Sequence, residues 1–388
     1  MIDYIPSKEE KLKLKKEVSG FLKKFKGLKD VKFTLGGSYA KDTWLPGNKD
    51  VDVFAKFNYS KFKGKDISLK LFSILKKKYK NILVVHGSRD YFHIMVNDTL
   101  FEVVPVLDIK KVDKAENIMD VSPFHVNYVK KIKRKDDIRK LKLLLKAQHL
   151  YGAESYLQGF SGYVCELLIS YYGSFSRLIK SVSKWEDSLV IDVGKHYSSK
   201  SIALKSLNKS KLGPLVLIDP VDSSRNAAAS VSLSKFKEFV KVCSEFFDDS
   251  FVLKEVDVSK LKGYIVLSVV RLEGKRDIAL AKMRALFDRI LREFSYSGFK
   301  VKDSGWDSSH YWFKVSKLSK DYRHYGPLVS MKEHSKAFRK KYGRKVKVSR
   351  GRCYVVLKRK YVDPREFLKD LIKEKFVKEK VKKIRVTP

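Results

Sequence analysis

The run Asp50-Val51-Asp52-Val53-Phe54 constrains this chain more than any other stretch. On a strand, residues i and i+2 share a face, so Asp50 and Asp52 present two carboxylates side by side. Their neighbours are apolar, which marks the strand as largely buried. Two like charges in such a place are costly unless a cation joins them. Mg²⁺ is the natural partner, because it takes a few carboxylates together with phosphate oxygens. The segment just upstream supports this. The alternating run 31–35 reads as a strand, and Gly36-Gly37-Ser38 breaks it, offering backbone N–H groups and a hydroxyl to a phosphate.

A third carboxylate would complete a two-metal site. Glu102 stands alone in the apolar run Leu100-Phe101-Glu102-Val103-Val104-Pro105-Val106. An uncompensated buried Glu is expensive, so a place beside a metal accounts for it. Asp108 lies further along the same face and is the spare candidate.

The rest of the chain divides by pattern. Ser7-Lys8-Glu9-Glu10 is a capping box opening a Lys-rich amphipathic helix to about residue 25. Strands are expected over 50–57, 82–85, 91–96 and 100–107, with a helix over 68–79, giving a mixed α/β unit over 1–115. Helical periodicity then dominates 116–252, with helices over 136–150, 162–179 (Ser161 as N-cap) and 232–247, a short strand over 215–218, and a Ser/Lys-rich connection over 200–211. Residues 253–388 open with a strand over 263–270, a helix over 278–294 and a strand alternating Tyr311, Phe313 and Val315. That order suits a small α/β RNA-binding fold with a basic tail. Trp306, Tyr311 and Trp312 are candidates for base stacking.

The formal net charge is +40, and a large share of it falls after residue 330. A field of that sign attracts polyanions, either nucleic acid or an acidic membrane surface. The apolar interruptions Tyr354-Val355-Val356-Leu357 and Phe367-Leu368 make the basic end read as a folded surface. No apolar run approaches the roughly 18 residues of a membrane span, and the N-terminus lacks the apolar core of a signal peptide. A cytoplasmic protein without a membrane partner is expected. The three cysteines, Cys165, Cys243 and Cys353, are far apart and odd in number, so buried thiols are expected.

The quoted motifs resemble the archaeal (class I) CCA-adding enzymes, tRNA nucleotidyltransferases of the DNA polymerase β superfamily. The resemblance rests on Gly37-Ser38-Tyr39-Ala40-Lys41-Asp42-Thr43-Trp44-Leu45 with Asp50-Val51-Asp52-Val53-Phe54. It continues through Ser122-Pro123-Phe124-His125, Tyr151-Gly152-Ala153-Glu154, Gly159-Phe160-Ser161-Gly162-Tyr163 and Asp219-Pro220-Val221-Asp222 with Arg225-Asn226. It runs collinearly from about residue 30 to 250 and fades beyond.

It implies an α/β (α+β) chain with a polymerase-β-like nucleotidyltransferase head (1–115), a mostly helical central domain holding the nucleotide-base pocket (116–252), and an α/β body with a basic tail binding tRNA (253–388). It implies that Asp50, Asp52 and Glu102 are catalytic and hold two Mg²⁺ ions. Ser38, His125, Lys142 and Tyr151 would contact the triphosphate of CTP or ATP, with Gly37 and Lys41 beside them. Arg225 would read the base together with the tRNA backbone. The family's usual pattern has Asp where Glu102 stands, and by this resemblance the chain is expected to end earlier than is usual for the family.

The residues themselves support part of that assignment. On the helix over 136–150, Arg139, Lys142, Lys146 and His149 form a basic stripe opposite the leucines, which beside a carboxylate site reads as a triphosphate cradle. Two other readings stand. One is a related poly(A)- or oligoadenylate-forming nucleotidyltransferase. The other is a non-catalytic RNA-binding protein that kept the fold. The sequence leaves oligomeric state open, a homodimer being one form available to it.

Overall fold

The computed structural model describes residues 4–246 and 257–387. They fall into two compact units, 1–254 and 255–388.

The first unit is built on a five-stranded sheet in the order β1-β2-β5-β4-β3. Its strands are β1 (Val31–Leu35), β2 (Asp50–Asn58), β3 (Leu83–Val85), β4 (Tyr91–Val96) and β5 (Thr99–Asp108). Only β2 and β5 run parallel; the other neighbours are antiparallel. Alternation along β2 decides what each face meets. Val51, Val53, Ala55 and Phe57 are wholly buried in a core shared with Leu14, Val18 and Phe21 of the helix Lys8–Lys23 and Leu71 and Leu75 of the helix Ile67–Lys76. The first of these helices carries the expected capping box between Ser7 and Glu10. The opposite face starts with Asp50 and Asp52. It becomes apolar at Phe54, which packs with Val104, Val106 and Val126. The carboxylates thus lie at the mouth of that face.

The helical part of this unit has its own core. Ile138, Leu141 and Leu145 of the helix Lys135–Ala147 meet Val164, Leu167 and Leu168 of the helix Gly162–Tyr172. Ser161 caps the latter, accepting from the Val164 amide. The single helix expected over 162–179 is instead two, because Gly173 takes φ 78 at the C-cap and Ser174 caps a new helix, Phe175–Val182. Glycine is the residue that reaches this left-handed conformation without a Cβ penalty. Gly173→Ala is expected to destabilise the unit by about 1 kcal/mol, seen as a lower urea midpoint. The run 200–211 is no bare connection either. Ser199 caps a short helix, Lys200–Ser206, and a turn of 3₁₀ helix follows at Lys209–Lys211. Two short parallel strands, β6 (Leu189–Asp192) and β7 (Leu215–Ile218), complete the unit. The end of the helix expected over 232–247 and the boundary near 252 lie outside the described residues, the observed helix being Leu233–Ser244.

The second unit holds two sheets. One has the order β14-β8-β10-β9, from β8 (Ile265–Val270), β9 (Val301–Trp306), β10 (His310–Val315) and β14 (Lys383–Val386). The helix Arg276–Tyr296 buries Met283, Leu286, Phe287, Ile290 and Phe294, with Phe287 stacked on Phe313. The other sheet has the order β11-β13-β12, from β11 (Asp321–Leu328), β12 (Lys347–Ser349) and β13 (Arg352–Lys358). The basic end is therefore folded. Cys353 and Val355 of β13 are fully buried, while Arg323 and Lys347 point their charges outward. All three cysteines are buried thiols. Two stacking candidates are lost: Tyr311 is fully buried with its hydroxyl on the Met283 carbonyl, and Trp312 is 8% exposed. As neighbours on β10 they lie on opposite faces of the strand, and both are buried. Among the described residues, no helix is long and apolar enough to cross a membrane.

Candidate active site

The register of the first sheet sets up a row across its open face. Asp52 of β2 lies opposite Glu102 of the parallel β5, and Glu102 lies opposite His93 of β4. Neighbouring strands are about 4.8 Å apart, so the two carboxylates are adjacent. His93 Nε2 is 2.8 Å from Glu102 Oε2. On the other side of Asp52 the row ends at Gly36, whose N–H donates to the Asp52 carbonyl at 2.8 Å. Asp50 stands two residues earlier on the same face, at the exposed start of β2. Asp108 is not part of the row. It pairs with Asn58 at the far end of β2, six residues or about 20 Å from Asp52, and its carboxylate is held by Lys56 at 2.5 Å.

The chain turns from β1 into the five-residue helix Gly37–Lys41 directly over Asp52. A Cβ on Gly37 would lie 1.5 Å from Asp52 Oδ2. Only glycine leaves the carboxylate its place. Burial pushes the Asp52 carboxyl up to about 6, and Glu102 and Asp50 add to that, against the pull of Lys41. A cluster of carboxylates that raises its own proton affinity, at the edge of a glycine turn, fits a divalent cation. Among the described residues, no three His, Cys, Asp or Glu side chains are gathered at metal-binding spacing, and the Glu102 carboxylate is hydrogen-bonded with His93.

Behind the turn lies Glu166, fully buried on the helix Gly162–Tyr172. It accepts from Lys41 Nζ at 2.7 Å and from Thr43 Oγ1 at 2.7 Å, and Lys142 Nζ lies 3.3 Å away. Burial works to raise its pKa, but Lys41 and Lys142 together pull it below the ordinary carboxylate range. Lys142 also donates to the Thr43 carbonyl at 3.0 Å and to Thr43 Oγ1 at 2.9 Å. Arg139, on the same helix, donates to the carbonyls of Trp44 and Asp42 at 3.1 and 2.7 Å. Arg139 and Lys142 are thus buried at 2% and 3% exposure. The expected open basic stripe is corrected here: half of it is spent clasping residues 42–44, and only Lys146 and His149 stay exposed. Helical periodicity gave the face but not the loop that covers it.

A second buried carboxylate, Asp219, sits just beyond β7. It accepts from Tyr163 Oη at 2.9 Å, from Arg225 at 2.6 Å and from the Val221 amide at 2.9 Å. His125 Nε2 lies 2.9 Å from it, and the His125 ring packs on Tyr163 with centroids 4.4 Å apart. Burial alone would raise Asp219, but His125, the Val221 amide and Arg225 hold it at about 2. The Tyr163 ring lies within cation–π reach of both Lys41 and Arg225, at 5.8 and 5.9 Å. Tyr151 completes the group. Its hydroxyl faces Gly162, where a Cβ would come within 2.8 Å, and burial keeps the phenol neutral.

The structure therefore brings Gly37, Ser38, Lys41, Asp52, Glu102, His125, Tyr151 and Arg225 onto one connected set of elements. Glu166, Asp219 and Thr43 were given no role of their own from the sequence, and Arg139, read as part of a phosphate cradle, instead holds the backbone of residues 42–44. Glu166 could have been given one: it is a lone acid among Val164, Cys165, Leu167, Leu168 and Ile169, the pattern that singled out Glu102.

A carboxylate row beside a glycine turn, on a mixed sheet followed by a helical domain, defines a nucleotidyltransferase. Residues 15–143 match the family model for the nucleotidyltransferase domain, 136–252 that for the second domain of tRNA nucleotidyltransferases, and 276–385 that for the C-terminal domain of CCA-adding enzymes. The CCA-adding enzyme of Nanoarchaeum equitans is 35% identical over 88% of this chain and 90% of its own length. That of Pyrobaculum aerophilum is 30% identical over 92% of this chain and 88% of its own. A solved structure of a cytoplasmic RNA terminal U-transferase aligns at 13% identity and a TM-score of 0.48 over 62% of this chain and 88% of that one, too loosely to add to the assignment. The chain belongs to the family of CCA-adding enzymes. Enzymes with the nucleotidyltransferase fold depend on divalent metal.

Proposed function

We propose that this chain adds C, C and A, without a template, to the 3′ end of tRNA from CTP and ATP, releasing pyrophosphate. The observation that carries the reading is the adjacency of Asp52 and Glu102 beneath Gly37, in a chain of this family. The chemistry is assigned to residues 1–115, the base pocket to 116–252 and tRNA binding to 253–388. Asp50, Asp52 and Glu102 would hold Mg²⁺. Bound there, the metal would supply charge to activate the RNA 3′-hydroxyl and to steady the departing pyrophosphate.

The chain's own groups do the rest. Ser38 and Lys41, on the turn after β1, would meet the phosphates. Tyr151, kept neutral by burial, offers a hydroxyl as donor. His125 and Arg225 share Asp219, so a triphosphate contact and a base contact are set by one buried carboxylate. Lys142 supports this side through Thr43 and Glu166. The folded basic end supplies phosphate contacts. Affinity for tRNA is therefore expected to fall steeply with salt, by about 10³-fold or more between 50 and 200 mM if six or more phosphates are met. Filter binding across that range checks it. The reading places the enzyme in the cytoplasm with its tRNA, and leaves a homodimer for sedimentation to decide.

The direct test supplies CTP and ATP, separately and together, to tRNA lacking its 3′ end. Two C additions followed by one A and a stop are expected. Continued addition of A indicates a poly(A)-type enzyme, and absence of pyrophosphate release a binding protein; either outcome overturns the proposal.

A further inference from the structure

We propose that Glu166 is a positioning residue for the triphosphate: from the core of the central helices it aims Lys41 at the phosphates and locks the turn carrying Gly37 and Ser38. The inference rests on the reading of the site as one that binds CTP and ATP.

Three observations support it. The first is position. Glu166 is fully buried, yet its partners come from two distant segments: Lys41 and Thr43 from the turn before β2, and Lys142 from the helix Lys135–Ala147. It is thus a buried junction by charge between the turn leading into the carboxylate-bearing sheet and the helices.

The second is charge balance. Two ammoniums meet one carboxylate, with side chains 11%, 3% and 0% exposed for Lys41, Lys142 and Glu166. One counter-charge would satisfy a purely structural pair. Here Glu166 is shared between two lysines, and Lys41 also acts on Asp52, pulling that carboxyl's pKa down. Lys41 is thus held between the buried Glu166 and the carboxylate row, at the edge that a triphosphate bound with its metal would reach.

The third is the donor inventory. An ammonium has three N–H donors. Lys142 has spent all three, on the Thr43 carbonyl, Thr43 Oγ1 and Glu166. Among the described residues the Lys41 ammonium makes one hydrogen bond, to Glu166 Oε2, and it lies 5.8 Å from the Tyr163 ring. It is the more exposed of the two, and its charge is felt at Asp52. Lys41 is therefore the lysine with capacity for a phosphate oxygen, and Glu166 fixes where it points. Lys142 holds the other side of Glu166 in place.

The test compares equilibrium binding of CTP and CMP to the full chain in Mg²⁺. The two ligands share base and sugar and differ in the phosphates that Lys41 would meet. In Glu166→Gln, which keeps the shape and removes the charge, the preference for CTP over CMP is expected to fall by about tenfold or more, the range of a charge-assisted hydrogen bond. A mere loss of folded protein lowers the number of sites and leaves the ratio unchanged. Should circular dichroism show Glu166→Gln unfolded, Glu166→Asp decides. It keeps the charge but withdraws it by one methylene, and is expected to lose about threefold in the same ratio. An unchanged ratio in a folded variant overturns the proposal. Failure of the wild type to incorporate C or A would instead sink the functional reading, so the two failures are distinguishable.

Discussion

Asp52→Asn is expected to abolish incorporation of CTP and ATP, by at least about 1,000-fold, while leaving tRNA affinity unchanged. The same substitution should make the metal-free protein more stable above neutral pH. The first effect follows from losing a carboxylate that would hold the metal; the second follows from burial and the neighbours Glu102 and Asp50, which push the Asp52 carboxyl up to about 6. The unfolded chain releases this proton near pH 3.8, the folded one only near pH 6. As pH rises between those values, the folded state retains a proton that the unfolded state has already lost. Stability is fully present below about pH 4 and is lost as pH rises through about 6, by something on the order of 2–3 kcal/mol. Asparagine carries no such charge. The unfolding midpoint of Asp52→Asn should therefore match that of the wild type near pH 4 and exceed it at pH 7.5, without metal. Adding Mg²⁺ should raise the wild-type midpoint at pH 7.5 and barely move the variant. Thermal scans at the two pH values, with and without Mg²⁺, check this together with the incorporation assay. A variant that still adds nucleotides, or a stability gap independent of pH, contradicts the account.

The sequence disclosed Asp52 and Glu102 because a charge in an apolar run is visible without a structure. It did not disclose their arrangement. Whether Glu102 or Asp108 joined Asp52 depended on the register of β2 against β5, and pairing with Glu102 rather than Asp108 places one acid beside Asp52 and the other about 20 Å away. His93 was silent for the same reason: its partner is set by an antiparallel neighbour, nine residues away in sequence. Lys142 shows the converse limit. A 3.6-residue period says that a lysine opposes the leucines, but what lies over that face is a loop nearly 100 residues upstream, whose Thr43 and Trp44 carbonyls take up the charges. Glycine and proline punctuation carried more than the reading took from it, since Gly173 ends one helix and lets Ser174 start the next. The basic end was legible as folded from its apolar interruptions, but the pairing of β11, β12 and β13 was not, because short charged strands lack an alternating signature strong enough to compete with a tail.

Gly37→Ala is the substitution expected to show most directly that the turn exists for Asp52. Two costs meet at this position. Gly37 has φ +54, where a side chain costs roughly 1–2 kcal/mol. The added Cβ would also lie 1.5 Å from Asp52 Oδ2 and 2.4 Å from its Cγ, so either the carboxylate swings out of the row or the turn withdraws with Ser38 and Lys41. Either movement separates the acid from the phosphate-facing groups, and misplacement of about 1 Å at a reacting centre already costs on the order of 100-fold. With both sides disturbed, kcat/KM for CTP should fall by about 1,000-fold, the loss falling mostly on kcat. Gly20→Ala serves as the control. It lies inside the helix Lys8–Lys23 with nothing within 4 Å of the new Cβ, and should raise stability by about 0.5–1 kcal/mol without touching activity. The decisive comparison is a cycle with Asp52→Ala. If the Cβ offends chiefly through the carboxylate, Gly37→Ala should destabilise the wild type by about 3 kcal/mol but the Asp52→Ala background by only about 1–2, the residue of backbone strain. Equal costs in the two backgrounds would mean that the glycine serves the turn alone, and that its contact with Asp52 is incidental.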